Sequence, residues 1–458
     1  MTTGFDPTRY RRDFFIQHDR PDLPFAAGRP PVFSSAAAAQ DKVNASRVWR
    51  RWGDTFIAWQ YGEWLDEAAA HGTAAFLGDW SAISKVEIEG PDATRFLQHL
   101  GVADLSRLPV GRIRHFVMTD ANGKIATEGV LGRMADNSYY YTAGGGEWIV
   151  YHAASGAWDV TARLATPDYF IFELQGPCSI EILEAAARTG LRHIAFNTWD
   201  EVVIAGARVR ILRTGISGEL GYEIHGATVA GAAVWEALYE AGLPMGLQPL
   251  GMRCQVLSHI ESGIATAGFD YMPASIGGPG GSNISVSGGG QRIIGTYPFA
   301  AVEDLFRSPF ELNWCSARVV ERGDFIGADA LRAELAGGGP ARRLVGLVWE
   351  PADVMEVYSS LFDQGDIAPQ MDMPRRYAAE YLAIHREGAL VGCATSRVYS
   401  PRLRRMISFG LLDRELAEAG LEVEVAWGLA PGSGRPIRAR TIALPFKPDR
   451  RRTDVALA

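Results

Sequence analysis

Short strand-like runs recur along this chain, each stopped by a turn rich in Gly, Pro or Asn. Helix-like stretches separate them, but without the strict strand–helix–strand rhythm of a parallel sheet, so the pattern predicts an α+β protein. Residues 63–75 read as a helix. The run 85–89 is strand-like and leads through Gly90-Pro91-Asp92 into a helix carrying Phe96 and Leu100. The turn at 120–124 joins two strand candidates, 115–119 and 125–133, as a hairpin does. Tyr139-Tyr140-Tyr141 is another strand, and Gly144-Gly145-Gly146 ends it before a helix from Glu147. A second unit begins at Phe170, with a strand, the Gly176-Pro177 turn, a helix and two strands over 202–212. Beyond Leu344 the runs 345–349, 389–396, 405–411 and 421–426 predict a small antiparallel barrel or sandwich.

With 458 residues the chain has room for two to four domains. The expected divisions are 1–80, an extension and the start of the core, then 81–165 and 166–270 as two α+β units. A glycine-rich loop and linker follow over 271–343, and a β-rich unit over 344–458. Residues 1–45 are expected to wrap a surface. The run 277–290 lacks the G-K-[ST] ending of a phosphate loop and reads as a flexible loop.

The net charge of −8 argues against a nucleic-acid partner. Arg450-Arg451-Arg452, the one arginine-rich spot, reads as a solvated end. Four dispersed cysteines form no C-x-x-C pair, which suits a reducing cytoplasm and argues against a cysteine-built metal site. No H-x-x-H or H-E-x-x-H spacing appears, so no metal is expected. No apolar run reaches membrane-spanning length, so no membrane partner is expected. The oligomeric state is not readable.

The run Arg213 to Ile224 carries the sharpest chemistry. Gly218 and Gly221 mark a tight turn entering an apolar strand. Glu223 then faces one side of that strand while Tyr222 and Ile224 face the other. A carboxylate fixed there accepts two parallel hydrogen bonds from a flat N–H pair, such as a pterin or guanidine presents. An exposed strand glutamate is the competing reading.

These pieces occur in a familiar order. The run 213–225 resembles the R-[TS]-G-[YF]-T-G-E-x-G-[FY]-E signature of the aminomethyltransferase (glycine cleavage T-protein) family. Val86 to Ala93, the hairpin at 122–128, Leu174-Gln175-Gly176-Pro177, Gly251-Met252-Arg253, Ile260-Glu261-Ser262-Gly263 and 324–331 each resemble further family segments. The stretch 354–363 resembles the M-x-x-[IV]-Y-x-S-L-F-D of the tetrahydrofolate-dependent aryl-ether O-demethylases of the vanillate, syringate and dicamba type.

The resemblance implies a three-domain clover-leaf with a central folate-binding hole and a C-terminal antiparallel β-barrel-like domain. It implies tetrahydrofolate as cofactor and a small methoxy-aromatic substrate. Glu223 would grip the pterin N3–H and 2-amino group, with Arg253 on the far side. Gln175, Trp148, Glu219 and Tyr222 would complete the cofactor wall. Tyr271 would donate to the departing phenolate oxygen, with His259 as a further donor and Glu128 near the folate nitrogens. Trp80 and Ser81 would face the substrate. The chain departs from the family at Ile216, where a tyrosine is usual, and at Thr127-Glu128, where aminomethyltransferases carry two aspartates. Ser81-Ala82 and Thr142-Ala143-Gly144 replace a histidine pair and an arginine of the vanillate enzyme. A substrate carboxylate would need another arginine, such as Arg397 or Arg402.

Overall fold

The computed structural model describes residues 32–53, 55–276, 293–321, 323–376, 378–432 and 434–455. The glycine-rich run 277–290 and residues 1–31 lie outside them.

Among the described residues three of the four β-sheets surround a shared centre, and the fourth is a small sheet of Val32–Phe33, Thr55–Gln60 and Val48–Trp52. The first is an antiparallel five-stranded sheet in the order Ile113–Thr119, Ile125–Ala135, Ser138–Ala143, Ser84–Glu89, Thr161–Leu164. Its apolar face (Val86, Ile88, Tyr139, Tyr141) packs on Phe96, Leu97 and Leu100 of helix Ala93–Leu100. Apolar residues three and four apart share one face of the helix, and alternate residues share one face of the strands, so the two faces pack together.

The second unit is six-stranded, in the order Trp199–Ile204, Ala207–Leu212, Gly221–Ala227, Tyr169–Gln175, Phe76–Asp79, Gln248–Leu250. Strand Phe76–Asp79 comes from well before the others and pairs with Tyr169–Gln175, so the sheet joins distant parts of the chain. Helix Gly231–Gly242 contributes Val234, Trp235 and Leu238 to the core on one face, with Phe172, Leu174, Tyr222 and Ile224 beneath. The segment expected to wrap a surface enters this core where it is described. Helix Ala37–Val43 buries Ala37 and Ala39, because small side chains let it sit close to helix Gly231–Gly242.

The third unit is a closed six-stranded antiparallel barrel. Its strands run Ala379–Arg386, Ala389–Ser400, Arg405–Asp413, Arg342–Trp349, Arg435–Ile442, Glu422–Trp427, and pairing of the last with the first closes it. Closure removes the free edges that an open sheet would expose.

Helix Met252–Glu261 runs through the middle, and its Leu257 and Ile260 share one core cluster with Phe76, Val117 and Phe409 of the three units. The result is an α+β clover-leaf of three lobes around a hole. Among the described residues no helix is long and apolar enough to cross a membrane.

Candidate active site

A cavity of about 890 Å³ lies between the lobes. The five-stranded sheet, the six-stranded sheet, helix Met252–Glu261 and the loop after it all contribute to its wall.

Strand Gly221–Ala227 supplies its most polar wall. Alternation sends Tyr222 and Ile224 into the core, and puts Glu223 and His225 on the opposite face. Glu223 stands directly across the ladder from Glu173, so two carboxyl groups share one face. Both line the cavity and are almost fully buried. Burial, and then the charge of Glu223, push the Glu173 carboxyl well above its ordinary range, so Glu173 holds the proton of the pair. Gln175 donates its side-chain N–H to Glu173 and accepts from the Ser217 backbone N–H at 3.0 Å. Burial lowers the pKa of His225, and the neutral ring lies with Nε2 3.0 Å from a Glu223 oxygen. The wall therefore presents one carboxylate, supported by donors on both sides.

The glycines of this motif serve that packing. A Cβ on Gly215 would lie 2.1 Å from Gln175 Nε2, and one on Gly221 2.8 Å from Gln175 Cγ. Gly218 has φ +71°, the left-handed turn that feeds the strand.

Another part of the wall joins Glu128, His115, His259, Arg375 and Trp314. Glu128 accepts from His115 Nε2 at 2.8 Å, and Trp314 packs edge-on to His115. Burial drops the His259 imidazole to about 4, so it is neutral near pH 7. Arg375 lies with its guanidinium 4.7 Å from the centre of the Phe269 ring. Trp52, Trp80 and Phe269 add aromatic surface.

Of the residues expected from sequence, Glu223, Glu128, His259 and Trp80 meet in this cavity. Others are turned elsewhere. Arg253 donates to the Met373 carbonyl and to Gln60 Oε1, outside the wall, because those acceptors satisfy its guanidinium. Trp148 packs on the core of the five-stranded sheet and against His152. Glu219 pairs with Arg402 at 3.0 Å and Lys447 at 3.4 Å, away from the cavity. Tyr222 is core, and Ser81 Oγ accepts from the Ile171 backbone N–H at 3.2 Å. Gln175 stands behind Glu173 rather than on the surface. Tyr271 is fully buried just behind the wall, with its ring edge-on to Trp314 and its hydroxyl beside Glu128. Burial and that neighbouring charge hold its proton far more tightly than a free phenol does.

Neither Arg397 nor Arg402 lines the cavity. Arg397 pairs with Glu380 in the barrel, and Arg402 with Glu219. Arg375 lines it instead. Glu173, His115, Arg375 and Trp314 were not legible as site residues, although Glu173 lies two positions before Gln175 in a strand and so shares its face. Arg451 and Arg452, expected in a solvated end, also line the cavity.

Residues 42–275 match the GCVT N-terminal domain, and residues 342–447 the glycine cleavage T-protein C-terminal barrel domain. The chain belongs to the glycine cleavage T-protein family. It is 31% identical to a sesamin methylene transferase from a Sinomonas species, over 85% of this chain and 90% of the relative. It is 29% identical to a syringate O-demethylase from a Sphingobium species, over 81% and 83%. An aminomethyltransferase from Saccharopolyspora erythraea is 28% identical over 85% and 93%. The crystal structure of aminomethyltransferase T from Bartonella henselae shares the fold, with a TM-score of 0.69 over 91% of this chain and 98% of that one, at 19% identity. Members of this family are folate-dependent transferases, and tetrahydrofolate is the cofactor. The buried acid pair suits it, because a carboxylate beside a protonated partner matches the paired N–H donors of a pterin.

Proposed function

We propose that this chain is a tetrahydrofolate-dependent O-demethylase. It moves a methyl group from a small methoxy-aromatic compound to N5 of tetrahydrofolate, giving 5-methyltetrahydrofolate and a phenol. The observation that carries this reading is a single cavity combining the Glu173–Glu223 pair with aromatic walls around Glu128, His259 and Arg375.

Glu223 accepts from the pterin N3–H and 2-amino group, while Glu173 keeps its proton so that one negative charge faces the ring. Tetrahydrofolate supplies the nucleophilic nitrogen. Trp52, Trp80 and Phe269 hold the aromatic donor and exclude water, so reacting groups meet in line. Arg375 and the N–H of neutral His259 stabilise negative charge on the departing oxygen. Glu128, oriented by His115, accepts the proton released on methyl transfer. Tyr271, the proton donor that the family resemblance suggests, lies behind the wall and instead steadies Glu128, which passes the proton it has accepted to the departing phenolate. Four free cysteines suit a reducing cytoplasm as the place of action.

A second reading has a methylenedioxy ring as donor, and is favoured by the relative named a sesamin methylene transferase. Incubation with tetrahydrofolate and a panel of methoxybenzoates, methoxyphenols and methylenedioxybenzenes separates the two. A 5-methyl product with an equimolar phenol supports demethylation, and a 5,10-methylene product supports the second reading. Folate products from N- or S-methyl donors alone would overturn both, and folate binding without turnover would indicate an accessory protein. Tyr271→Phe is expected to lower turnover with folate affinity unchanged. Full turnover in that variant removes Tyr271 from the mechanism.

A further inference from the structure

Residues 368–376, between helix Pro351–Ser359 and barrel strand Ala379–Arg386, form neither helix nor strand, so no regular ladder satisfies their backbone. Side chains take its place. Trp427 Nε1 donates to the Pro369 carbonyl at 2.6 Å, Arg376 Nη2 to that of Gln370 at 2.8 Å and the Tyr358 hydroxyl to that of Met371 at 2.6 Å. Arg397 Nη1 donates to the Asp372 carbonyl at 3.2 Å, Arg253 Nε to that of Met373 at 3.2 Å, and the Tyr399 backbone N–H to that of Pro374 at 2.8 Å. Six carbonyls in a row each accept a bond, and five of the six donors are side chains. The Met371 side chain adds an apolar anchor in the barrel core with Val354 and Val357.

Arg375 is the next residue. It is almost fully buried and lines the cavity, with its guanidinium 4.7 Å from the centre of the Phe269 ring. Its positive charge bears on His259 and on the buried Asp270. An arginine side chain is long and rich in rotamers, so its aim depends on where its backbone is fixed. A misplacement of about 1 Å can cost on the order of a hundredfold in rate. Two of the donors come from segments the sequence singled out. Tyr358 belongs to the motif at 354–363, and Arg253 stands on the central helix Met252–Glu261. Neither lines the cavity.

We propose that this pinned segment is a positioning arm for Arg375, and that Tyr358 and Arg253 are positioning residues of the methyl transfer. They fix the Met371 and Met373 carbonyls and so aim the Arg375 guanidinium at the departing oxygen. The inference rests on the demethylation reading, in which that oxygen leaves as a phenolate. It gives the motif at 354–363 a task at the cavity without contact to either ligand.

The test uses a nitrophenol as a coloured stand-in for the departing phenolate, and follows its ionisation by absorbance when bound to the full chain. The wild type is expected to lower the pKa of the bound phenol by about one pH unit, a tenfold shift toward phenolate. Arg375→Ala is expected to lose most of that shift, and Tyr358→Phe and Arg253→Gln about half of it each. In the Arg375→Ala background neither further substitution should change it, because the group they aim is gone. With a methoxy-aromatic donor, Tyr358→Phe is expected to lower kcat about tenfold, while KM and tetrahydrofolate affinity change less than about threefold. Thermal unfolding checks that each variant folds. A phenol shift that survives both Tyr358→Phe and Arg253→Gln overturns the inference and leaves the demethylation reading intact. So does an equal loss with and without Arg375, which would mark a general structural effect. A wild type that leaves the phenol's pKa unchanged removes Arg375 from the departing oxygen, and this inference with it. Absence of a 5-methyl product from every methoxy-aromatic donor overturns the demethylation reading itself.

Discussion

At position 223 a carboxylate faces the cavity, and at position 173 a carboxylic acid stands beside it. The two differ only through their surroundings. Glu223→Gln is expected to raise the tetrahydrofolate dissociation constant more than tenfold, since an amide cannot accept two N–H bonds with full charge. Glu173→Gln should cost less than about threefold in affinity, because the amide N–H replaces the acid O–H that it removes. Titration calorimetry on both variants checks the contrast, and equal losses would contradict the assigned proton. Glu173 also predicts a pH effect. Its folded pKa is raised above the ordinary 4.5, so the folded state binds more protons above that value. Its contribution to stability is therefore full below about pH 4.5 and fades as pH rises. His259 has the opposite sign. Its pKa falls from 6.5 to about 4, so its contribution is full above about pH 6.5 and is lost on acidification toward 4. Urea unfolding of His259→Phe against the wild type should show a shallower acid-side decline in the variant.

At the scale of elements, the glycine-flanked turn and its strand work as one device. Gly215 leaves room for Gln175, and Gln175 orders Glu173. Gly215→Ala pushes a methyl group into that amide and is expected to destabilise by about 1–3 kcal/mol. It should weaken folate binding as well, because the acid pair loses its support. Denaturant midpoints together with folate affinity test both effects, and a loss of stability alone would separate the turn from the site. The hairpin of Ile113–Thr119 with Ile125–Ala135 was legible from its Asn-Gly turn, and helix Trp64–Thr73 from its apolar spacing. Barrel strand Arg435–Ile442 was not. Its Ile437, Ala439 and Thr441 are buried and alternate with exposed Arg438 and Arg440, but the inward side is only weakly apolar and Pro436 reads as a strand breaker. The motif at 354–363, the sharpest pointer to an aryl-ether branch, begins on helix Pro351–Ser359, where Tyr358 donates to the Met371 carbonyl at 2.6 Å. No residue of that motif lines the cavity.

Across the whole molecule, the lobes are held together by buried charge as well as by apolar packing. Lys447, beyond the last barrel strand, lies 3.4 Å from Glu219 of the six-stranded unit and 3.8 Å from Glu261 of the central helix. All three are nearly solvent-free, and His71 and Ser400 complete the partners of Glu261. Lys447→Met leaves two buried carboxylates short of a cation, and is expected to cost about 3 kcal/mol. A urea midpoint within error of the wild type would show that Arg402 and His71 neutralise them unaided. The same return of the chain brings Arg451 and Arg452 to the cavity wall.

The order of strands, helices and turns, and the face on which Glu223 stands, followed from local periodicity and glycine placement, which depend only on neighbours in sequence. The company Glu223 keeps did not. Glu173 and His115 reached the wall through strand pairing, Arg375 and Trp314 through packing of distant segments, and Arg451 through the returning C-terminus. Arg253 and Glu219 were diverted because nearer partners satisfied them first, and Tyr271 packs in the core behind Glu128. Which polar groups share a cavity is set by contacts between residues far apart in sequence, and these exist only once the lobes have closed around their common centre.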